Sequence, residues 1–249
     1  MVEVENYLLE NRKLKIIQRK DMFNFSLDSV LLSHFVFISK KNSKPIVDFG
    51  TNNGAIPLIL STLTKGKILG IEIQKEAVDL AQKNIELNNL TNQVEIVFQD
   101  IKDFVNEYPD KVGTVVCNPP FFKVGERSNL NENEYLQIAR HEIKINLEQI
   151  IECASKILDN NGRFAMIHRP DRLVEIIEWM LHYKIEPKRL QLVYPKVGKD
   201  ANMVLIEGRY QGNKGGLKIE TPIYAHNDDG SYSDQVKAMF LGGDSNEDL

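Results

Sequence analysis

No run of about 18 apolar residues occurs in this chain, so no segment reads as a membrane-spanning helix. Cysteine is scarce. Cys117 and Cys153 stand apart, with no CxxC or Cys/His spacing, which argues against a metal site and against a disulfide framework. A reducing cytoplasm is the expected setting. The opening MVEVENYLLENRK is acidic and lacks the basic-then-apolar order of a signal peptide. Basic charge is not in excess either: the net charge of −4 excludes a uniformly basic nucleic-acid binder. It is uneven, however. Residues 11–20 hold Arg12, Lys13, Lys15, Arg19 and Lys20 with no acid. From Lys184 to Lys214, seven basic residues (Lys184, Lys188, Arg189, Lys196, Lys199, Arg209, Lys214) face Glu186, Asp200 and Glu207. Such runs can bind phosphates or be ordinary solvated surface.

What is present suits one well-packed domain: 249 residues, 42% hydrophobic and 27% charged. Strand-like and helix-like segments alternate from residue 45 to residue 183. PIVDF predicts a buried strand, and Gly54 to Leu63 a helix with Pro57 in its first turn. KILGIEI is a second strand. KEAVDLAQKNIELNN follows as a helix, with Ala77, Leu80, Ala81, Ile85 and Leu87 at helical spacing. VEIVF and TVVC are strands three and four. A polar stretch from Lys123 to about Glu142 precedes a helix (LEQIIECASKIL), a strand (RFAMIH) and a helix (RLVEIIEWMLHY). LQLVYP and NMVLIEGRY then read as a closing antiparallel pair. Repeated strand–helix units imply an α/β fold, a mostly parallel sheet covered on both faces. Residues 1–44 form an N-terminal extension with LDSVLLSHFVFI as its helix, 45–210 the core, and 241–249 a tail expected to be disordered.

Three strand ends carry ligand-type groups. DFGTNNG, Asp48 to Gly54, occupies the first strand-to-helix turn, where glycines admit close approach and a helix N-terminus offers N–H groups. Glu72 ends the second strand, about 20 residues after the turn, a spacing suited to gripping ribose hydroxyls. Asp100 follows the third strand and can accept from an adenine amino group. Singly, Glu72 could equally cap a helix and Asp100 a turn. Together they point to a bound nucleoside, and the absence of G-x-G-x-x-G argues against a dinucleotide. The fourth strand ends in NPPFF. Pro119 and Pro120 cannot extend a ladder, so Asn118 and two phenylalanines are presented at the ligand-binding edge.

DFGTNNG, IEI, QDI and NPPFF together resemble the class I S-adenosylmethionine-dependent methyltransferases that methylate amines. FNFSLDSVLLSHF is similar to the N-terminal motif that closes over the cofactor there. ARHE, HRPDRL and IEPKRLQLVYP resemble the bacterial tRNA (adenine-N6)-methyltransferases that modify adenine 37, beside the anticodon of a valine tRNA. The resemblance implies a Rossmann-like, seven-stranded, mostly parallel sheet with one antiparallel closing strand. It implies S-adenosylmethionine as cofactor, tRNA or another structured RNA as partner, and neither metal nor membrane. It further implies that Gly50 and Gly54 pass close to the methionine part, with Asp48 organising the turn. Glu72 would bind the ribose and Ile73 pack on the adenine. Asp100 would hold the adenine amino group beside Ile101, and Phe25, Ser26 and Asp28 would lie over the methionine end. One departure is Asn52, where the family usually has a second glycine; asparagine tolerates left-handed geometry, so the turn can survive.

In this reading the side-chain oxygen of Asn118 and the carbonyl of Pro119 each accept one N–H of the target amine. Phe121 or Phe122 stacks on the base, Phe121 being at the family's aromatic position. Arg140 and His141 can touch RNA or pair with Glu142. His34, His168 and His182 read as packing or surface residues. Guanine-N2 methylation of rRNA asks for much the same pocket, and glutamine N5-methylation of proteins uses a similar NPP motif. A non-catalytic RNA-binding module is the reading that Asn52 would support.

Overall fold

The protein is described here from a computed structural model, covering residues 3–9, 11, 13–19, 26–39, 44–119 and 145–242. Two strands come first, β1 (Glu3–Leu9) and β2 (Leu14–Arg19), paired as an antiparallel hairpin. The sequence reading had no hairpin here. Its period-two signal is short: only Leu14 and Ile16 of β2 turn inward, and the basic residues around them read as a charge run. In the hairpin that charge is partly neutralised, Lys15 pairing with Glu5 at 2.6 Å. Arg12 and Lys20 lie outside the described residues.

Helix α1 (Leu27–Phe35) ends at Phe35, three residues before the expected helix would have finished with Ile38. The alternation then follows as β3 (Ile46–Phe49), α2 (Ala55–Leu63), β4 (Ile68–Glu72), α3 (Lys75–Leu87), β5 (Val94–Phe98), α4 (Ile101–Glu107) and β6 (Val112–Cys117). After residues 120–144, which are not described, come α5 (Leu147–Ile157), β7 (Leu158–His168), α6 (Leu173–His182), β8 (Ile185–Tyr194) and β9 (Met203–Tyr210). The short β10 (Lys218–Ile219) and β11 (Ile223–Tyr224) and helix α7 (Asp234–Leu241) complete it. Pro57 sits in the first turn of α2, as expected. Helix α4 was not anticipated; it has 7 residues and is started by Asp100, whose side chain accepts from the N–H of Lys102.

The sheet order is β10-β8-β9-β7-β6-β3-β4-β5, with β11 also paired to β8. Strands β3 to β9 are the seven expected. β9 runs antiparallel between β7 and β8, and the remaining pairs are parallel. β10 and β11 add two residues each along the outer edge of β8. β3, β4 and β6 are buried along their whole length, as a parallel sheet covered on both faces requires. Alternate residues feed two cores: Ile46, Ile68 and Val116 face α1, α2, α3 and the hairpin, whereas Val47, Phe49 and Cys117 face α4, α5 and α6.

Candidate active site

Register brings the expected residues into one row. Phe49 of β3 pairs with Ile71 of β4 on one side and Cys117 of β6 on the other. The residues one step further on, Gly50, Glu72 and Asn118, therefore emerge side by side. Strand order runs outward through β4 and β5 on one side of β3 and through β6 and β7 on the other. The order reverses between β3 and β6, the kind of switch point at which open α/β sheets bind ligands, and Gly50 and Asn118 flank it. Asn118 is half-buried and Pro119 buried.

The turn after β3 uses left-handed backbone three times in five residues: Gly50 (φ 74°), Asn52 (φ 50°) and Gly54 (φ 82°). Asn52 adopts the geometry that the missing glycine would have supplied. The N–H groups of Gly50 and Thr51 both donate to the carbonyl of Ile71, at 2.9 and 3.0 Å. Glu72, 2% exposed, braces the turn from below. Its Oε2 accepts from the N–H of Asn52 at 3.0 Å, and its Oε1 accepts from Ile73 and Gln74 at 2.8 and 2.9 Å. A carboxylate has about four acceptor positions, so Glu72 keeps one for a ligand while it shapes the loop.

Four buried side-chain atoms have no hydrogen-bond partner among the described residues: Oδ1 and Oδ2 of Asp48, Oγ1 of Thr51 and Nδ2 of Asn53. All four belong to this one segment. Each such group costs about 1–3 kcal/mol when left unpaired, so their clustering is the mark of a site built for a polar ligand. The set fits the amino-acid end of the expected cofactor, the Asp48 carboxyl suiting an ammonium and the Asn53 amide a carboxylate. Burial pushes the Asp48 carboxyl up to about 7; the Thr51 hydroxyl, near it but outside hydrogen-bonding geometry, opposes the shift, and the Glu72 carboxylate adds to it. At Gly50 a Cβ would meet nothing within 4 Å, so the space beside the backbone is open.

Gly70, opposite Asp48 in β4, was missed by the sequence reading. A Cβ there would lie 2.8 Å from the Thr51 side chain and 2.9 Å from Cδ1 of Ile96. Its signal was a glycine inside an otherwise apolar strand, which marks close approach. Thr51 and Asn53 were also passed over, because polar residues in a turn are unremarked by composition.

The other expected residues are distributed as follows. Asp100 is half-exposed at the N-cap of α4, and Ile73 and Ile101 are half-buried. Ser26 N-caps α1 and Asp28 lies in its first turn, where burial, opposed by Ser26 and its own backbone, holds the carboxyl above the usual range. Phe25, Phe121, Phe122, Arg140 and His141 lie outside the described residues. His34 and His168 are buried, at 9% and 2% exposure, and His182 is exposed. The ring of His168 accepts from the N–H of Arg169 at 2.8 Å, and burial, with Arg172 nearby, takes its pKa down to about 4. Among the described residues no helix is long and apolar enough to cross a membrane, and no three His, Cys, Asp or Glu side chains are grouped to hold a metal ion.

Comparison with known proteins bears on the family and the fold. The family described as "Methyltransferase small domain" matches residues 24–175. A Flavobacterium psychrophilum protein is 26% identical over 219 residues, covering 86% of this chain and 92% of its own. A Porphyromonas gingivalis protein is 31% identical over 189 residues, covering 73% and 72%. Both are named tRNA1(Val) (adenine(37)-N6)-methyltransferase. Among solved structures, a predicted O-methyltransferase from Agrobacterium tumefaciens superposes with a TM-score of 0.67 at 22% identity, covering 86% of this chain and 96% of that one. The M. capricolum TrmK bound to S-adenosyl-homocysteine does so at 0.51 and 18%, covering 79% and 73%. These two likenesses establish the fold.

Proposed function

The chain belongs to the methyltransferase small-domain family, and from that premise we propose that it transfers a methyl group from S-adenosylmethionine to N6 of an adenine in tRNA, at position 37 beside the anticodon. The observation that supports this most is the row formed by Gly50, Glu72 and Asn118, which sets the proposed cofactor turn beside the proposed amine-accepting motif at the point where the strand order reverses. When bound, S-adenosylmethionine supplies a methyl group on a positively charged sulfur, an electrophile that an amine can attack directly. The chain's own task is therefore to hold and aim.

Asp48, Gly50 and Gly54 hold the amino-acid end, Glu72 and Ile73 the ribose and one face of the adenine, and Asp100 and Ile101 its amino edge. Ser26 and Asp28, with Phe25, close over the methionine end as part of the N-terminal segment 1–44, and 45–210 form the catalytic core. An adenine amine is a poor nucleophile because its lone pair is delocalised into the ring. Asn118 Oδ1 and the Pro119 carbonyl each take one of its N–H groups, which turns the nitrogen towards tetrahedral geometry and stabilises positive charge forming there. Positioning of this kind can supply about 7–11 kcal/mol of the barrier. Phe121 is assigned to stack on the flipped base, with Phe122 and Arg140 as further substrate-binding residues, and stacking contributes roughly 1–3 kcal/mol. A loop nucleotide is cheap to unstack, which suits an anticodon-loop substrate. The methylated amine then loses its proton to water, with no general base. Such a substrate places the protein in the cytoplasm.

Transfer of labelled methyl from S-adenosylmethionine to unmodified tRNA tests the proposal. Label should enter tRNA with the wild-type protein and be lost with Asn118→Ala. Label entering rRNA or protein instead would overturn the substrate, and equal label with Asn118→Ala would overturn the role of the motif.

A further inference from the structure

Asn84 is a polar residue on the inward face of α3, 0% exposed, and the site described above does not use it. Its side-chain amide is held by three backbone groups. Oδ1 accepts from the N–H of Ile17 at 2.7 Å, while Nδ2 donates to the carbonyl of Ile17 at 3.1 Å and to the carbonyl of Asn53 at 2.9 Å. The reverse amide orientation would aim the oxygen at two carbonyls, so only one orientation satisfies the site. One turn further along α3, Asn88 treats Lys15 in the same way, accepting from its N–H at 2.9 Å and donating to its carbonyl at 2.7 Å. Lys15 and Ile17 are alternate residues of β2, so the two amides occupy the free edge of the hairpin as a third strand would.

Asn88 stops there, its second N–H returning to the carbonyl of Asn84. Asn84 alone continues from the hairpin to the cofactor turn. It grips Asn53, the residue between left-handed Asn52 and Gly54, whose own amide lacks a partner among the described residues. Glu72 holds the Asn52 N–H from the sheet side, and Asn84 holds the next carbonyl from the helix side. We propose that Asn84 is a positioning residue for cofactor binding: it fixes the Asn52–Gly54 turn and couples docking of the N-terminal hairpin to occupancy of the site. This rests on the reading of that turn as the cofactor site.

The test is calorimetric titration of S-adenosylhomocysteine into the full-length wild-type, Asn84→Asp and Asn88→Asp proteins. Each substitution removes both amide donors without changing shape, and both loosen the hairpin. Asn84→Asp should lose about tenfold or more in affinity, and Asn88→Asp should stay within about twofold of wild type. Equal losses would reduce Asn84 to hairpin stability and overturn the proposal, as would wild-type affinity in Asn84→Asp. A wild-type protein that fails to bind S-adenosylhomocysteine would overturn the cofactor reading itself, and this inference with it. Should Asn84→Asp not fold, hydrogen exchange of the wild-type protein decides. Coupling is reciprocal, so S-adenosylhomocysteine must slow exchange of the amides of residues 14–19, and unchanged exchange there would sink the idea.

Discussion

At Asp48 the fold keeps a buried carboxyl whose two oxygens have no hydrogen-bond partner among the described residues. Its pKa rises from the ordinary 3.8 to about 7, so between those values the folded chain holds a proton that the unfolded chain has released. Stability from this group is fully present below 3.8 and is lost as pH rises through about 7. Asp48→Asn should therefore make the ligand-free protein more stable at about pH 8 than wild type and flatten its stability between about pH 5 and pH 8, as read by urea denaturation. The same variant should bind S-adenosylhomocysteine more weakly. Asn118→Ala should behave in the opposite way, keeping cofactor affinity while kcat falls by about 10²–10³. Asp48, Glu72 and Asn118 were legible in the sequence because each stands at the end of an apolar run. Thr51, Asn53 and Asn84 were not, since their roles depend on partners 20 or more residues away or on side-chain atoms with no partner among the described residues.

Elements were legible wherever apolar runs and helical spacing persisted over several residues, as in β3, β4, α3 and the β8–β9 pair. The hairpin and α4 were not, because β2 turns only two side chains inward and α4 has 7 residues. The β3–α2 turn shows how closely elements are fitted. Gly70→Ala would drive a methyl group into Thr51 and Ile96, with a destabilisation of about 1–3 kcal/mol in denaturant melts. Gly50→Ala meets no neighbour, so the ligand-free protein should lose only the left-handed backbone penalty, about 1–2 kcal/mol. Cofactor affinity should suffer more than stability there, because the new methyl group occupies the open space beside the turn. Loss of stability without loss of affinity would remove Gly50 from the site.

The whole molecule sorts residues that the sequence places together. Seven basic residues cluster between 184 and 214, but strand direction divides them. β8 runs parallel to β7 and β6, so the loop after Tyr194, with Lys196 and Lys199, lies at the same sheet edge as Asn118. Lys184 and Lys214 lie at the opposite edge, about 30 Å away along a ten-residue strand. Arg189 is committed to an internal ion pair, its Nε 2.7 Å from Glu220. Replacing Lys196 and Lys199 together by glutamate should raise KM for tRNA and lower its salt dependence, whereas the same change at Lys184 and Lys214 should leave both unaltered.

The reaction itself is read most directly from the nucleosides. Unmodified tRNA and rRNA would be incubated with the protein and S-adenosylmethionine, digested and analysed by mass spectrometry. New N6-methyladenosine in tRNA, absent with Asn118→Ala, is the expected result. N2-methylguanosine, methylation confined to rRNA, or no methylated nucleoside at all would contradict it.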